Sequence, residues 1–372
     1  MVHPSTMNKS LIVILLALLL ISAGFNIYLV TSSLLEPAKK TGVVYSTIEK
    51  TVTTTTTQLE IVREIESPYP MKIVDFMKRE VLIKSQPNRI VSCSPSNTEI
   101  LAALNLTRYI VGVDEYSDYP LEVKRLREKG VIENIGGVIT LNVEKILELK
   151  PDIVFVSASL QGNLVPILEE KGLTIVALDA NTILDVYREI LLVGKIMNIE
   201  DKALQLVNNI REKIDYVQSK LTYIQSKKSV IYIGWLEPIW TTGSNTFLND
   251  IIGLAGGYNL LLDSSGWFMT NPETIVTRNP EVIFITAMSI GMESREIIEK
   301  IKNIPGLDSV DAVQNNRTYL LYGQAENIFI RPGPRIGEAV ELLAKILYPE
   351  IFGAEIPTTI GDEYTKYLST YS

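Results

Sequence analysis

The sequence predicts an α/β protein made of two similar lobes joined by one long rigid helix. The first observation is a near-repeat. Asn142-Val-Glu144-Lys-Ile146, running to Pro151-Asp-Ile-Val154-Phe155-Val-Ser157-Ala158, returns as Asn271-Pro-Glu273-Thr-Ile275, running to Pro280-Glu-Val-Ile283-Phe284-Ile-Thr286-Ala287. The spacing is constant, since 129 positions separate Glu144 from Glu273 and Pro151 from Pro280 alike. The second observation is the content of each copy: a short helix, a proline stop and a buried apolar strand, which is half of an α/β unit. The third lies between the copies. Ala203, Leu206, Val207, Ile210, Ile214, Val217, Leu221 and Ile224 follow the spacing of one amphipathic helix with no internal Gly or Pro. At the rise of an α-helix this stretch spans roughly 36 Å, enough to bridge two lobes. A coiled coil is the weaker alternative, because the heptads are few and their edge charges sparse.

Length and composition bound what such a protein can do. The chain has 372 residues, 46% of them apolar and 21% charged, with a net charge of −8. That is ordinary globular composition with room for two cores. The acidic balance excludes a nucleic-acid binder, which needs a basic stripe for phosphates.

Leu11 to Val30 is an uncharged run long enough to cross a bilayer, so residues 1–30 read as a membrane anchor. A cleaved signal is the competing reading, given the small residues Ser22-Ala23-Gly24. Residues 31–68, with Thr51-Val-Thr53-Thr-Thr-Thr-Thr57, are too poor in large apolar groups to fold and read as a stalk, which places the remainder outside the cytoplasm. Residues 69–198 form the predicted first lobe, 199–226 the connecting helix and 227–372 the second lobe. Asn105 and Asn316 begin tripeptides that could accept glycans there, a pattern that also arises by chance.

In the first lobe, Met71 to Lys84 reads as a hairpin. Strands follow at Arg89–Ser94, Ile110–Val113, Asp152–Val156 and Thr174–Leu178, with helices from Pro95 to about Leu104, Val143–Leu149 and Leu164–Lys171. In the second lobe, strands are expected at Val230–Ile233, Val282–Thr286 and Thr318–Leu321, and a last helix at Arg335–Leu347.

Most catalytic chemistry is absent. The only histidine is His3 and the only cysteine is Cys93, in a predicted buried strand, so no nucleophilic triad or His/Cys metal cluster can be assembled. No glycine-rich phosphate loop occurs. A hydrolase using carboxylates alone, such as Glu237 or Asp263, remains formally open. Glu144 and Glu273 occupy equivalent first turns behind capping asparagines. Helix-dipole complementation explains them individually; a matched pair offered to a basic partner explains them together. Trp235, Trp240 and Trp267 cluster in one span, as core residues or as a flat ligand platform. Arg331-Pro-Gly-Pro-Arg335 sets two cations at a helix start, where the dipole disfavours them, so something anionic or hydrogen-bonding must answer them. Tyr116, in Tyr116-Ser-Asp118-Tyr119-Pro120, follows a strand at the edge where α/β sheets gather ligands.

Taken together, Pro87-Asn-Arg-Ile-Val-Ser-Cys-Ser-Pro-Ser-Asn-Thr-Glu99, Val113-Asp-Glu-Tyr116-Ser-Asp-Tyr-Pro120, the two Glu repeats and Arg331-Pro-Gly-Pro-Arg335 resemble the substrate-binding proteins of ABC importers for cobalamin and iron chelates. The likeness covers residues 69 to about 352 and is strongest to the cobalamin-binding branch. It implies two Rossmann-like lobes on one long helix, the class III periplasmic binding protein fold. It further implies a ligand held between the lobes and docking on a permease dimer served by an ATPase. Glu144 and Glu273 stand where the family pairs glutamates with permease arginines. Tyr116, Trp267 and Arg331 match its corrin-binding pattern, with Trp235, Trp240 and Arg335 as further expected ligand contacts. Val138 and Ser157 depart from it, standing in place of tryptophans, and Gly234 replaces a phenylalanine.

The expected protein is an anchored receptor on the outer face of the cytoplasmic membrane, without cofactor, metal or catalysis, that carries a corrinoid. An iron-siderophore, met by Arg331, Arg335 and tyrosines, is the alternative ligand, and haem, with Tyr116 as axial ligand, is another. A carboxylate-only surface enzyme and a sensory or adhesive module are the rivals from other classes. A straight connecting helix predicts modest lobe movement.

Overall fold

The computed structural model describes residues 67–286 and 294–369. The predicted anchor Leu11–Val30 and nearly all of the Thr-rich stretch lie outside the described residues, among which no helix is long and apolar enough to cross a membrane.

Two five-stranded sheets organise the molecule. In the first the order is Glu133–Asn134, Ile110–Val113, Ile90–Ser92, Ile153–Ser157, Ile175–Leu178, and every pairing is parallel. In the second it is Gly257–Asn259, Lys228–Ile233, Val282–Thr286, Thr318–Leu321, Thr359–Ile360, again all parallel. The two copied strands, Ile153–Ser157 and Val282–Thr286, therefore occupy matching places, each beside the first strand of its sheet. Their apolar runs are buried throughout, as a sheet covered on both faces requires. The hairpin Met71–Val74 and Glu80–Ile83 precedes the first sheet and is antiparallel.

The helices that matter for function are α1 (Pro95–Ala103), α2 (Val143–Glu148), α3 (Ile183–Ile196), α4 (Glu200–Lys220), α5 (Phe247–Leu254), α6 (Pro272–Arg278), α7 (Gly323–Ile330) and α8 (Ile336–Leu347). The repeated helices α2 and α6 are capped alike. The Asn142 side chain accepts the Lys145 N–H at 2.9 Å, and Asn271 accepts the Thr274 N–H at 2.8 Å.

The connecting helix α4 is shorter than its apolar spacing predicts. It ends at Lys220 after 21 residues, about 32 Å, although the apolar pattern runs on to Ile224. Thr222 turns its hydroxyl back to the carbonyls of Gln218 and Ser219, while Leu221 and Ile224 pack on the core through the turn. Nor is α4 a free strut. Its buried face, Ala203, Val207, Ile210, Ile214 and Val217, lies against α3 and α8. A Cβ at Gly194 of α3 would collide with Ala203, and one at Gly337 of α8 would come within 3.2 Å of the Lys213 Cβ. One continuous apolar cluster runs from Ile90 through α4 to Leu347.

Candidate functional site

A parallel strand delivers the chain to the C-terminal edge of its sheet, where the following loop begins. Ser94 to Asn97 follow the strand Ile90–Ser92, Ser157, Ser159 and Leu160 lie at and after the end of Ile153–Ser157, and Leu178 to Asn181 lie at and after the end of Ile175–Leu178; all of them line one cleft. The second sheet supplies the opposing wall: Gly234 and Trp235 after Lys228–Ile233, and Glu326, Asn327, Ile330 and Arg331 from α7 and its end. The cleft volume is about 960 Å³. Ligands gather at this edge of α/β sheets because strand ends and helix N-termini converge there.

The tryptophans stand on a small antiparallel sheet that sequence periodicity does not reveal. Trp235–Leu236 pairs with Ile239–Thr242, which pairs with Trp267–Thr270. Alternation sorts its residues onto two faces. Leu236, Ile239 and Thr241 point into the core. Trp235, Trp240 and Trp267 share the other face with Met269, and all three indoles line the cleft. Trp240 and Trp267 keep 37% and 42% exposure, so these are wall residues rather than core. Trp267 meets the buried Tyr232 edge-on at 5.7 Å. The same tyrosine accounts for Gly234, because a Cβ there would lie 3.0 Å from the Tyr232 hydroxyl. Val138, 129 positions before Trp267, lines the opposite wall, so the repeat brings these two equivalent positions to the same cleft.

Tyr116 lines the cleft and is half exposed. Its loop is held by Asp114, whose carboxylate accepts the Tyr116 N–H at 2.9 Å and the Ser117 hydroxyl, and by Arg127, which donates to the Asp114 and Ser117 carbonyls. Burial pushes the Asp114 carboxyl up to about 6, against the opposing pull of these hydrogen bonds and of Arg331 and Arg127.

The two arginines part company. Arg331 lines the cleft, but its guanidinium donates to Glu99 at 3.2 Å, Asp118 at 2.7 Å and the Tyr116 carbonyl at 3.3 Å. Arg335, expected as a ligand contact, is not among the residues lining the cleft. It is buried, donating to both oxygens of Glu99 at 2.8 and 2.6 Å, and it stacks on the Tyr119 ring at 3.8 Å. Burial opposes its charge, yet Glu99 and Tyr364 hold its pKa above the ordinary guanidinium value. The network continues through Gln324, which donates to Asp118, and through Tyr364, which donates to Glu338, itself paired with Lys213 of α4. The anionic answer that these cations require is therefore internal, and Glu99 and Asp118 supply it from the first lobe.

Glu144 and Glu273 lie outside the cleft, exposed in the first turns of α2 and α6, and no ion pair among the described residues engages either. Each helix feeds a parallel strand, so each begins beside the C-terminal edge of its sheet. Val138 and Trp267 each precede their glutamate by six positions. Both carboxylates thus stand on the side of the molecule where the cleft opens.

A family model described as periplasmic binding protein matches residues 90–325. The chain belongs to that family. The binding protein is 34% identical over 291 residues, 76% of its length and 87% of the relative's, to an uncharacterised ABC transporter substrate-binding lipoprotein, YvrC, of Bacillus subtilis. It is 27% identical to a vitamin B12-binding protein of Yersinia pestis across 74% of this chain and 90% of that one. Among solved structures it is similar to a possible iron-binding, periplasmic solute-binding protein of Staphylococcus epidermidis, with a TM-score of 0.61 and 31% identity over 71% of this chain and all of that one. The class III fold expected from the resemblance fits the binding protein's paired parallel sheets.

Sequence reasoning did not single out the carboxyls at the candidate site: Asp179, Glu189 and Glu326 in the cleft lining, and Glu99 and Asp118 behind Arg331. Only Glu99 had a local signal, a carboxylate on the first apolar helix after a cleft-edge strand. Glu189 lies in α3, whose capping box at Thr182 and Asp185 was legible but unused. Desolvation, with Asp179 and Asp185 nearby, pushes its carboxyl well above the usual range.

Proposed function

We propose that this protein is the extracytoplasmic substrate-binding component of an ABC importer, that it captures a corrinoid between its lobes, and that it delivers it to a permease powered by an ATPase. The observation that carries the reading is the cleft: about 960 Å³ between two α/β lobes, with three indoles on one wall. Flat apolar faces suit a broad ring system with little directional bonding. Among the described residues lining the cleft, Tyr116 alone matches the usual haem-iron ligands, a set of His, Cys, Met and Tyr. A corrinoid carries a fully ligated metal and asks for none. In this reading the protein does no chemistry and takes no cofactor of its own.

The relative named as a lipoprotein supports tethering outside the membrane. Glu144 and Glu273 are the proposed contacts with permease arginines, and Tyr116, Trp235, Trp240 and Trp267 the proposed ligand walls, with Arg331 holding the loop of Tyr116 rather than the ligand. Titration of the purified protein with cyanocobalamin should quench tryptophan fluorescence saturably, with one ligand per chain. Quenching by haem or a ferric siderophore, with none by cobalamin, would transfer the proposal to that ligand.

A further inference from the structure

Asn97, on the first-lobe wall of the cleft, is buried with its amide unanswered. The residue is 3% exposed, and its Nδ2 has no hydrogen-bond partner among the described residues. A side-chain amide nitrogen carries two N–H donors, and leaving them unmade in a buried place costs more than a hydrogen bond ordinarily gains. Buried polar groups are paired for that reason, so an unpaired donor on the wall of a binding cleft asks for a partner from the ligand.

The place of Asn97 in the fold narrows what that partner is. It is the third residue of α1, whose first turn is Pro95-Ser96-Asn97 behind the capping Ser94, and all four residues line the cleft. Ser94 is engaged by its own helix: its hydroxyl accepts the Asn97 N–H at 3.4 Å and its carbonyl accepts the Thr98 N–H at 3.1 Å. Pro95 has no N–H. The turn holds no acidic side chain. What α1 offers here is therefore donors and the positive end of its dipole: the side-chain amide of Asn97, and the N–H of Ser96, which has no carbonyl of its own helix to reach. Arg331 does not compete for an acceptor at this point, because Glu99 and Asp118 hold its guanidinium. The turn is also fixed in position, for Gly333 of the second lobe lies against it, where an added Cβ would stand 3.9 Å from the Ser96 carbonyl.

We propose that Asn97 and the first turn of α1 form a subsite for an oxygen acceptor of the ligand, a carboxamide carbonyl or a phosphodiester oxygen, and that this subsite orients a ring held on the indole wall. The inference rests on the cleft being the ligand site, as proposed above. Indole faces hold a flat ring but fix neither its rotation nor which edge leads. Donors at a fixed place on the opposite wall do so, and they discriminate, because a ligand with no acceptor there leaves the amide buried and unmade. A corrinoid carries both kinds of acceptor, in the amides around its ring and in the phosphodiester of its nucleotide tail.

The test compares two substitutions of nearly equal shape, by titration followed through tryptophan fluorescence, with urea unfolding to confirm the fold. Asn97→Leu removes the donor, and Asn97→Asp removes it and sets an anion before the acceptor. Affinity for cyanocobalamin should fall about threefold to tenfold in Asn97→Leu and at least about tenfold further in Asn97→Asp. A loss in Asn97→Asp no greater than that in Asn97→Leu overturns the subsite, since altered packing alone gives that result. Should Asn97→Asp fail to fold, Asn97→Thr against Asn97→Val decides: tighter binding by the hydroxyl-bearing variant supports the subsite, and equal binding overturns it. Dicyanocobinamide, which keeps the ring amides and lacks the phosphodiester, identifies the acceptor. The same additional loss with it assigns a ring amide, and an additional loss with cyanocobalamin alone assigns the phosphodiester. If haem or a ferric siderophore binds and cobalamin does not, the corrinoid reading fails, and the same variants judge the subsite on that ligand by the same comparison.

Discussion

Asp114 is fully buried and ionisable, and it holds the loop that brings Tyr116 to the cleft. Because burial raises its carboxyl to about 6, above the ordinary unfolded value near 4, the native state keeps a proton across that interval that the unfolded chain has released. Stability from this group is therefore fullest below about pH 4, falls as the pH rises through the window, and is flat above about 6, a change on the order of 3 kcal/mol. Asp114→Asn keeps the shape and removes the titration. Urea unfolding at several pH values should show the variant gaining on the wild type between about pH 4 and 6 by that order, and a constant difference would mean that burial does not govern the site. Residue-scale pairings of this kind were the least legible part of the sequence. Two arginines at a helix start announce that a partner must exist, but Glu99 lies 236 positions from Arg335, and no local pattern spans that distance.

At the scale of elements, legibility followed burial. Strands such as Ile110–Val113, Val282–Thr286 and Thr318–Leu321 emerged at their predicted bounds because parallel strands covered on both faces are continuous apolar runs. The tryptophan sheet did not, since its strands are short, the first two are joined by a tight turn at Glu237-Pro238, and the sheet carries large apolar side chains on both the core face and the cleft face. The helices α2 and α6 were readable from their caps alone, and they present Glu144 and Glu273 in equivalent first turns. An exposed carboxylate that makes no internal pair contributes little to folding but can steer and register a charged partner. Glu144→Ala and Glu273→Ala should each weaken binding to the permease complex by roughly tenfold and leave cobalamin affinity unchanged. Surface-immobilised permease and direct ligand titration read the two effects separately. A loss of ligand affinity instead would place these residues in the cleft and refute the docking assignment.

For the molecule as a whole, the lobes are held at more than the connecting helix. Glu99 and Asp118 of the first lobe grip Arg331 and Arg335 of the second on one side of the cleft. Elsewhere the Asp250 carboxylate of α5 accepts the Ile183 N–H at the first turn of α3, at 3.0 Å, joining the lobes again. Behind both runs the shared apolar cluster along α4. Opening the cleft by rotation would strip partners from buried charges, which costs several kcal/mol for each pair broken. Ligand-driven closure must then be small, because a ligand shifts an equilibrium only by its differential affinity for the two states. Small-angle scattering should show the radius of gyration changing by less than about 1 Å on ligand addition. Glu99→Gln combined with Asp250→Asn should enlarge that change by loosening the unliganded form. Contraction of several ångströms in the wild type would show that the bridges between the lobes form only with ligand bound, and that the helix α4 bends where its packing says it cannot.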